Sequence, residues 1–394
     1  MRFLLGFTIS IFTLLASSCR NNPNAKDGPV GTGAPKYTID LLKGDPNEIA
    51  NFADFFKDIS VTPLRLPKGS LIASFDKLVI FDSSYFVLDK KYSILYRFDM
   101  QGNLIKTYGK IGLGPGEFKR IDDFDLFGKE VYILSNDNRA IFVYNLEDGV
   151  FSRRIPTQRF GSGISILTTD SYLLYCNYNN VEHQKDYNVY QISAEGVVRE
   201  RYFPFDPNKS SMILPFTGFF HTTPKRVQYY CDAFDETIYA FENNSFVPYI
   251  STRVSSDFVK ENKKDFKRIV MDRTLMDPSL SYIGSNYLES GRFIVLSYVK
   301  EQVIKTAIFD KNDNSIKVIR KGIADPLINL VEGPFLLTGE NKFLYAISSE
   351  TIEDMRKRDP DKFNKISPDQ LKVFGNTADS SSASYFILTA VNKE

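Results

Sequence analysis

Residues 77–108 read KLVIFDSSYFVLDKKYSILYRFDMQGNLIKTY. Four short runs stand in this stretch: Lys77-Leu-Val-Ile-Phe81, Tyr85-Phe-Val-Leu88, Ile94-Leu-Tyr-Arg-Phe98 and Leu104-Ile-Lys-Thr-Tyr108. Their β-branched and aromatic side chains suit the pleated, half-buried surface of a strand. Between the last two runs, Asp99-Met-Gln-Gly-Asn103 puts Gly102 where a hairpin turn requires positive φ. Strands at this spacing, joined by tight turns, predict an antiparallel sandwich, barrel or propeller.

Repetition along the chain decides among the three. Tyr96-Arg-Phe-Asp99 precedes Gly102, Phe142-Val-Tyr-Asn145 precedes Asp148-Gly149, and Tyr190-Gln-Ile-Ser193 precedes Glu195-Gly196. Ile238-Tyr-Ala-Phe241 and Ala307-Ile-Phe-Asp310 are likewise followed by Asn-rich turns. The copies start roughly 45 to 65 residues apart, the length of a four-stranded propeller blade. Five copies and a C-terminal remainder predict an all-β, six-bladed β-propeller of four-stranded antiparallel blades, occupying residues 36–394. Composition agrees: 33 Phe and 22 Tyr favour strands, and the absence of Trp excludes the WD type of propeller. With 49 basic against 48 acidic residues, a nucleic-acid partner recruited by bulk charge is not expected.

The sequence Gly109-Lys-Ile-Gly-Leu-Gly-Pro-Gly-Glu-Phe118, preceded by Tyr85-Phe-Val-Leu-Asp89 and followed by Asp122-Asp-Phe124, resembles the opening blades of the bacterial six-bladed β-propeller lipoprotein family. That family is similar to the NHL-repeat propellers, whose repeats carry a like Gly-Pro-Gly-Gln/Glu-Phe turn. The resemblance runs from about Tyr37 to the terminal run Tyr385-Phe-Ile-Leu-Thr389. Ser380-Ser-Ser-Ala-Ser384 stands where family members usually have Asn-Pro before the last strand.

Residues 1–18 read as an export signal: Arg2 gives a positive start, and an apolar run from Phe3 to Ala16 follows. The run is short for a membrane span. Leu15-Ala16-Ser17-Ser18-Cys19 resembles the lipobox of bacterial lipoproteins, which implies acylation of Cys19. Secretory cleavage without lipid is the other reading. Residues 19–35 are polar and read as a flexible lipidated tether. With no Asp after Cys19, the expected address is the outer membrane, periplasmic face, with surface display also open. Cys176 and Cys231 each end an apolar run and read as buried free thiols on neighbouring strands.

Helical insertions are expected at three places. Asp45-Pro46-Asn47-Glu48 caps a stripe of Ile49, Phe52, Phe55, Phe56 and Ile59. Residues 256–272 present Val259, Phe266 and Val270 on one face, with a basic but charge-paired surface. Towards the end, a short helix is expected over residues 351–358, and a capping box at Ser367-Pro-Asp-Gln370 starts another.

Chemistry is sparsely marked. The glycines between 109 and 116 are read as a blade-to-blade turn, since Pro115 removes a donor and no Lys-Ser/Thr follows. Glu117 is then expected to bond to local backbone. The only histidines, His183 and His221, form no triad with Gly161-Ser-Gly163. In a propeller, ligands sit at the mouth of the central channel. Residues expected just before innermost strands are therefore the candidates for binding: Arg120, Asp122, Tyr172, His221, Tyr282 and Asn286. A non-catalytic binding or scaffold module for a protein, peptide or glycan is the first functional expectation. It is a monomer held to the membrane by its lipid, with no cofactor. The alternative, implied by resemblance to NHL-like propellers, is a metal-dependent lyase or lactone hydrolase. With two histidines, its site would use oxygen ligands of the kind calcium prefers.

Overall fold

A computed structural model describes residues 25–43, 52–179, 186–210, 220–222, 228–232, 234–263, 265, 277–319, 336–338, 341–358, 360 and 385–393. Cys19, His183, and the expected helix starts at Asp45 and Ser367 lie outside these residues.

The chain begins with β1 (Lys26–Asp27), β2 (Tyr37–Asp40), a single turn α1 (Phe52–Phe55) and β3 (Phe56–Leu64). Blade one comprises β4 (Lys77–Phe81), β5 (Ser84–Asp89), β6 (Ile94–Asp99) and β7 (Leu104–Tyr108). A two-stranded ribbon, β8 (Lys110–Ile111) and β9 (Glu117–Phe118), leads on. Blade two comprises β10 (Asp123–Phe127), β11 (Glu130–Ser135), β12 (Ala140–Asn145) and β13 (Phe151–Pro156). Blade three is β14 (Gly163–Thr168), β15 (Ser171–Tyr175), β16 (Asp186–Ile192) and β17 (Val198–Phe205), followed by the turn α2 (Pro207–Ser210). Blade four is β18 (Phe220–Thr222), β19 (Gln228–Cys231), β20 (Thr237–Glu242) and β21 (Ser245–Arg253), followed by α3 (Asp257–Asn262). Blade five is β22 (Ser281–Glu289), β23 (Phe293–Lys300), β24 (Val303–Asp310) and β25 (Ile316–Ile319). Blade six takes β26 (Leu336–Thr338), β27 (Lys342–Ser348) and β28 (Tyr385–Asn392), with α4 (Ser349–Arg358) after β27.

The fourth strand of blade six is β3, from the other end of the chain. It pairs with β28 along its length, from Phe56 opposite Asn392 to Leu64 opposite Tyr385. The expectation of six four-stranded blades therefore holds. All five copies of the repeated motif fall on, or run just past, the third strand of their blade: β6, β12, β16, β20 and β24.

Blade packing explains the Phe and Tyr excess. Phe86, Phe118, Phe124 and Phe142 share one buried cluster between blades one and two. Tyr175, Tyr202, Tyr230 and Phe246 share another between blades three and four. Apolar area removed from water contributes roughly 25 cal/mol per Å², and aromatic rings bring the most area per residue. Cys176 and Cys231 are buried and free, at the ends of the second strands of adjacent blades rather than on paired strands. Burial raises both thiols well above the ordinary value.

Two expectations are corrected. The stripe read as helix from Ile49 to Ile59 is helical only over Phe52–Phe55 among the described residues; Phe56 and Ile59 lie in β3. The periodicity fits a helix, but a full-length partner strand, β28, overrides it. The stretch read as flexible tether is, from residue 26, partly strand. Within that stretch β1 extends blade three in parallel register with its outermost strand; β2, just beyond it, extends blade four in the same way. The helix α3 falls within the 256–272 region expected to be helical, and α4 covers the expected 351–358 and starts two residues earlier. No described helix is long and apolar enough to cross a membrane.

Candidate functional site

Six first strands line the axis: β10 touches β14, β14 touches β18, β22 touches β26 and β26 touches β4. Antiparallel pairing sends each first strand away from one end of the channel and each second strand back to it. At the far end the chain reverses in tight turns, at Asp82-Ser83, Gly128-Lys129, Thr169-Asp170 and Ser290 to Arg292. At the near end lie the longer connections, between β15 and β16, β17 and β18, β21 and β22, β25 and β26, and β27 and β28. One end is thus a turn end and the other a loop end.

Side chains of the loop end are assembled from the inner strand outward. A first strand exposes one edge of backbone N–H and C=O groups to the channel, and these groups need partners. On β14 the N–H of Ile164 donates to the Asp123 carboxylate at 2.9 Å. That of Ile166 donates to Asp125 at 2.7 Å. Blade two therefore satisfies the open edge of blade three. Asp123 also receives the Lys77 ammonium of blade one at 2.7 Å, and the same ammonium donates to the Phe124 carbonyl at 2.6 Å. Asp122 accepts the Asn136 N–H at 2.7 Å and pairs with Arg120 at 2.9 Å. Asn136 in turn accepts the Gly161 N–H at 2.7 Å.

Further round the ring the polar groups become aromatic as well. Asp186, buried, accepts the Tyr190 hydroxyl and lies 3.4 Å from Arg159, whose guanidinium sits 5.2 Å over the Tyr190 ring. Between blades three and four, Asp232 accepts the hydroxyls of Tyr178 and, at 2.9 Å, Tyr230. Asn188 donates to the Tyr230 hydroxyl at 3.0 Å and accepts the Tyr178 N–H at 2.9 Å. Burial first, and then the Asp232 charge, hold both phenols far above their ordinary value, so they stay donors. Beside them Tyr178, Phe205, Phe234, Val259, Leu280 and Tyr282 form an apolar cluster that α3 helps to cover.

The six candidate residues are not all brought together. Arg120 and Asp122 form the ion pair just before β10, with Arg120 half-exposed. His221 lies half-buried on β18, its ring 5.6 Å edge-on from that of Tyr287. Tyr282 is buried on β22 against Phe234 at 4.9 Å, and burial raises its phenol. Asn286 lies further along β22, where the register shifts between Ile283 and Tyr287. Tyr172 is the exception in register: it opens a second strand, β15, and so belongs to the turn end. It is fully buried against Tyr132, and its hydroxyl donates to the Thr169 carbonyl. Three of the four expected first-strand starts, those of blades two, four and five, fall at an observed first-strand start, and the blade-three start does not; the strand there is β14, beginning at Gly163.

Residues the sequence reading passed over are Lys77, Asn136, Arg159, Tyr178, Asp186, Asn188 and Tyr230. A signal for several of them exists. An Asp or Asn stands at or just beyond the end of the second strand in four successive blades: Asp89, Asn136, Asn177 and Asp232. In blades three and four it sits in matching triplets, Tyr175-Cys176-Asn177 and Tyr230-Cys231-Asp232.

Glu117 bonds as expected, accepting the Gly114 N–H at 2.9 Å and pairing with Lys110 at 2.9 Å. Among the described residues no three His, Cys, Asp or Glu side chains gather as metal ligands. A shallow groove of about 280 Å³ lies away from the channel, between Gly31 to Pro35 and Tyr239, Pro248 and Ser251.

A family model described as a domain of unknown function, DUF4934, matches residues 36–381. Among solved structures, a protein of Bacteroides fragilis described as exported is similar, with a TM-score of 0.69 at 14% identity over 90% of this chain and 99% of that one. A member of the DUF4221 family from Bacteroides vulgatus gives 0.50 at 7% identity, over 89% and 99%. No curated protein sequence matches the chain.

Proposed function

We propose that this chain, which belongs to the DUF4934 family, is an envelope-anchored, non-catalytic binding module whose loop end receives a protein, peptide or glycan. The observation that carries this is the asymmetry of the ring. Among the described residues one end carries tight turns, whereas the other is the end at which the long connections begin and return and carries a rim of Arg120, Asp122, Arg159, Asp186, Tyr178 and Asp232. The rim carboxylates are already taken up by backbone N–H groups, phenols and cations. Such saturation suits recognition, which needs polar groups fixed before the ligand arrives. The envelope address rests on the export signal and on the lipobox-like Cys19.

The test is a photo-crosslinking residue placed at Arg120 on the loop end, and another at Asn243 in a tight turn on the turn end, in cells that make the full chain. A discrete adduct from position 120 and none from 243 is expected. Adducts from 243 alone, or none from either, overturn the reading.

A further inference from the structure

The segment downstream of the expected lipid site is stitched to the propeller rather than hung from it. Lys26 and Asp27 pair with Glu200 and Arg201 on the outer edge of blade three. The Gly28 N–H donates to the Arg201 carbonyl at 2.9 Å. The chain then crosses to blade four, where Val30 bridges Phe246. There Gly31 donates to the Phe246 carbonyl at 2.7 Å, and Phe246 returns a bond to the Pro29 carbonyl at 3.1 Å. Tyr37–Asp40 continue along Ile250–Arg253.

Side chains lock this strap in place. The Asp27 carboxylate accepts the Tyr187 hydroxyl at 2.8 Å and the Arg201 guanidinium at 2.7 Å. Arg201 itself lies 4.7 Å over the Tyr187 ring. Gly28 passes so close to Tyr202 that a Cβ there would stand 2.0 Å from the ring. The strap also covers two sheet edges that would otherwise offer open backbone groups.

We infer that the outer edges of blades three and four face the bilayer, and that the propeller is held edge-on against the membrane instead of swinging on a long leash. The inference rests on the reading of Cys19 as the acylated residue. From Cys19 to Ala25 the chain reaches at most about 20 Å fully extended, whereas a free leash to Pro35 would reach about 55 Å. The shorter figure is less than the roughly 30 Å hydrocarbon core of the bilayer itself. Wherever the acyl chains insert, the strapped edge must lie close by.

The test uses full-length acylated protein carrying either Val197→Cys, beside β17, or Ile105→Cys, on β7 across the ring. Both positions are exposed, while Cys176 and Cys231 are buried and escape labelling. A donor dye on each is read against a rhodamine-headgroup lipid in phosphatidylethanolamine–phosphatidylglycerol vesicles. Energy transfer from position 197 should exceed that from 105 at least threefold. Equal or reversed transfer, with the acyl mass present on the N-terminal peptide, overturns the inference and leaves the anchoring reading standing. Absence of that mass overturns the anchoring reading, and the inference with it. A second variant, Asp27→Ala with Gly28→Val, frees the strap without touching the acylation site. It should bring the two signals together; a persisting difference would mean that something other than the strap sets the orientation, and the inference fails.

Discussion

Glu130 shows how single residues hold a blade and what pH does to them. Its carboxylate takes the Arg153 guanidinium on both oxygens, and the Tyr132 hydroxyl at 2.6 Å. Arg153, ahead of the opposing effect of burial and the smaller help from Tyr132, holds the acid below its ordinary value. A carboxyl depressed in the folded state stabilises fully above its unfolded pKa and loses that contribution as pH falls through the folded value. Wild type should therefore exceed Glu130→Gln in stability at pH 7, by under about 1 kcal/mol because the pair is screened by solvent. Urea unfolding at pH 7 and pH 3 should show the margin shrinking in acid, and an unchanged margin would refute the assignment. At this scale the sequence was legible only where partners are close along the chain. Glu117 and Gly114 are three positions apart, so their bond follows from the geometry of one turn. Tyr178 and Asp232 are separated by 54 positions and meet only because two blades stack. Nothing local in either segment encodes that meeting.

Strands carry the legible part of the fold, because period-two patterning and turn chemistry are local properties. Gly102 was read as a turn glycine and has φ of 80°, with the Pro63 carbonyl of β3 pressed where a Cβ would stand. The stripe ending at Ile59 misled because Phe52, Phe55, Phe56 and Ile59 satisfy a helical period, while the strand that claims the last two is more than 300 residues away. Blade-to-blade stitching was equally hidden. Asp125 on β10 accepts the Ile166 N–H of β14 at 2.7 Å from a nearly buried position. Asp125→Ala leaves that donor without its carboxylate partner, at a cost of about 2 kcal/mol. Asp125→Asn, which keeps an acceptor oxygen, should lose less. Denaturant titration of the two variants distinguishes them, and equal losses would show that the contact contributes through packing alone.

Closure is the property of the whole molecule on which both the fold and the proposed site depend. A ring of blades has no terminal blade only if first and last segments meet, and here β3 and β28 supply that joint over eight paired residues. Without β3, blade six is a three-stranded sheet with an open edge along β28, exposing Phe386 and Leu388 neighbours now buried with Phe56. The strap is different in kind, because it adds β1 and β2 outside blades that already have four strands. Two truncations separate the roles. A chain starting at residue 52 keeps β3 and should unfold in urea as one transition, seen alike by far-ultraviolet and tyrosine near-ultraviolet circular dichroism. Tyrosine is the natural probe, since the chain has 22 Tyr and no Trp. A chain starting at residue 66 should lose the coincidence of the two signals or fail to give a native near-ultraviolet spectrum. Native, single-step unfolding of that shorter chain would mean that five blades and an open sixth hold the ring unaided. The loop end would then owe its fixed geometry to inner-strand contacts such as Lys77–Asp123 and Asp125–Ile166 rather than to closure.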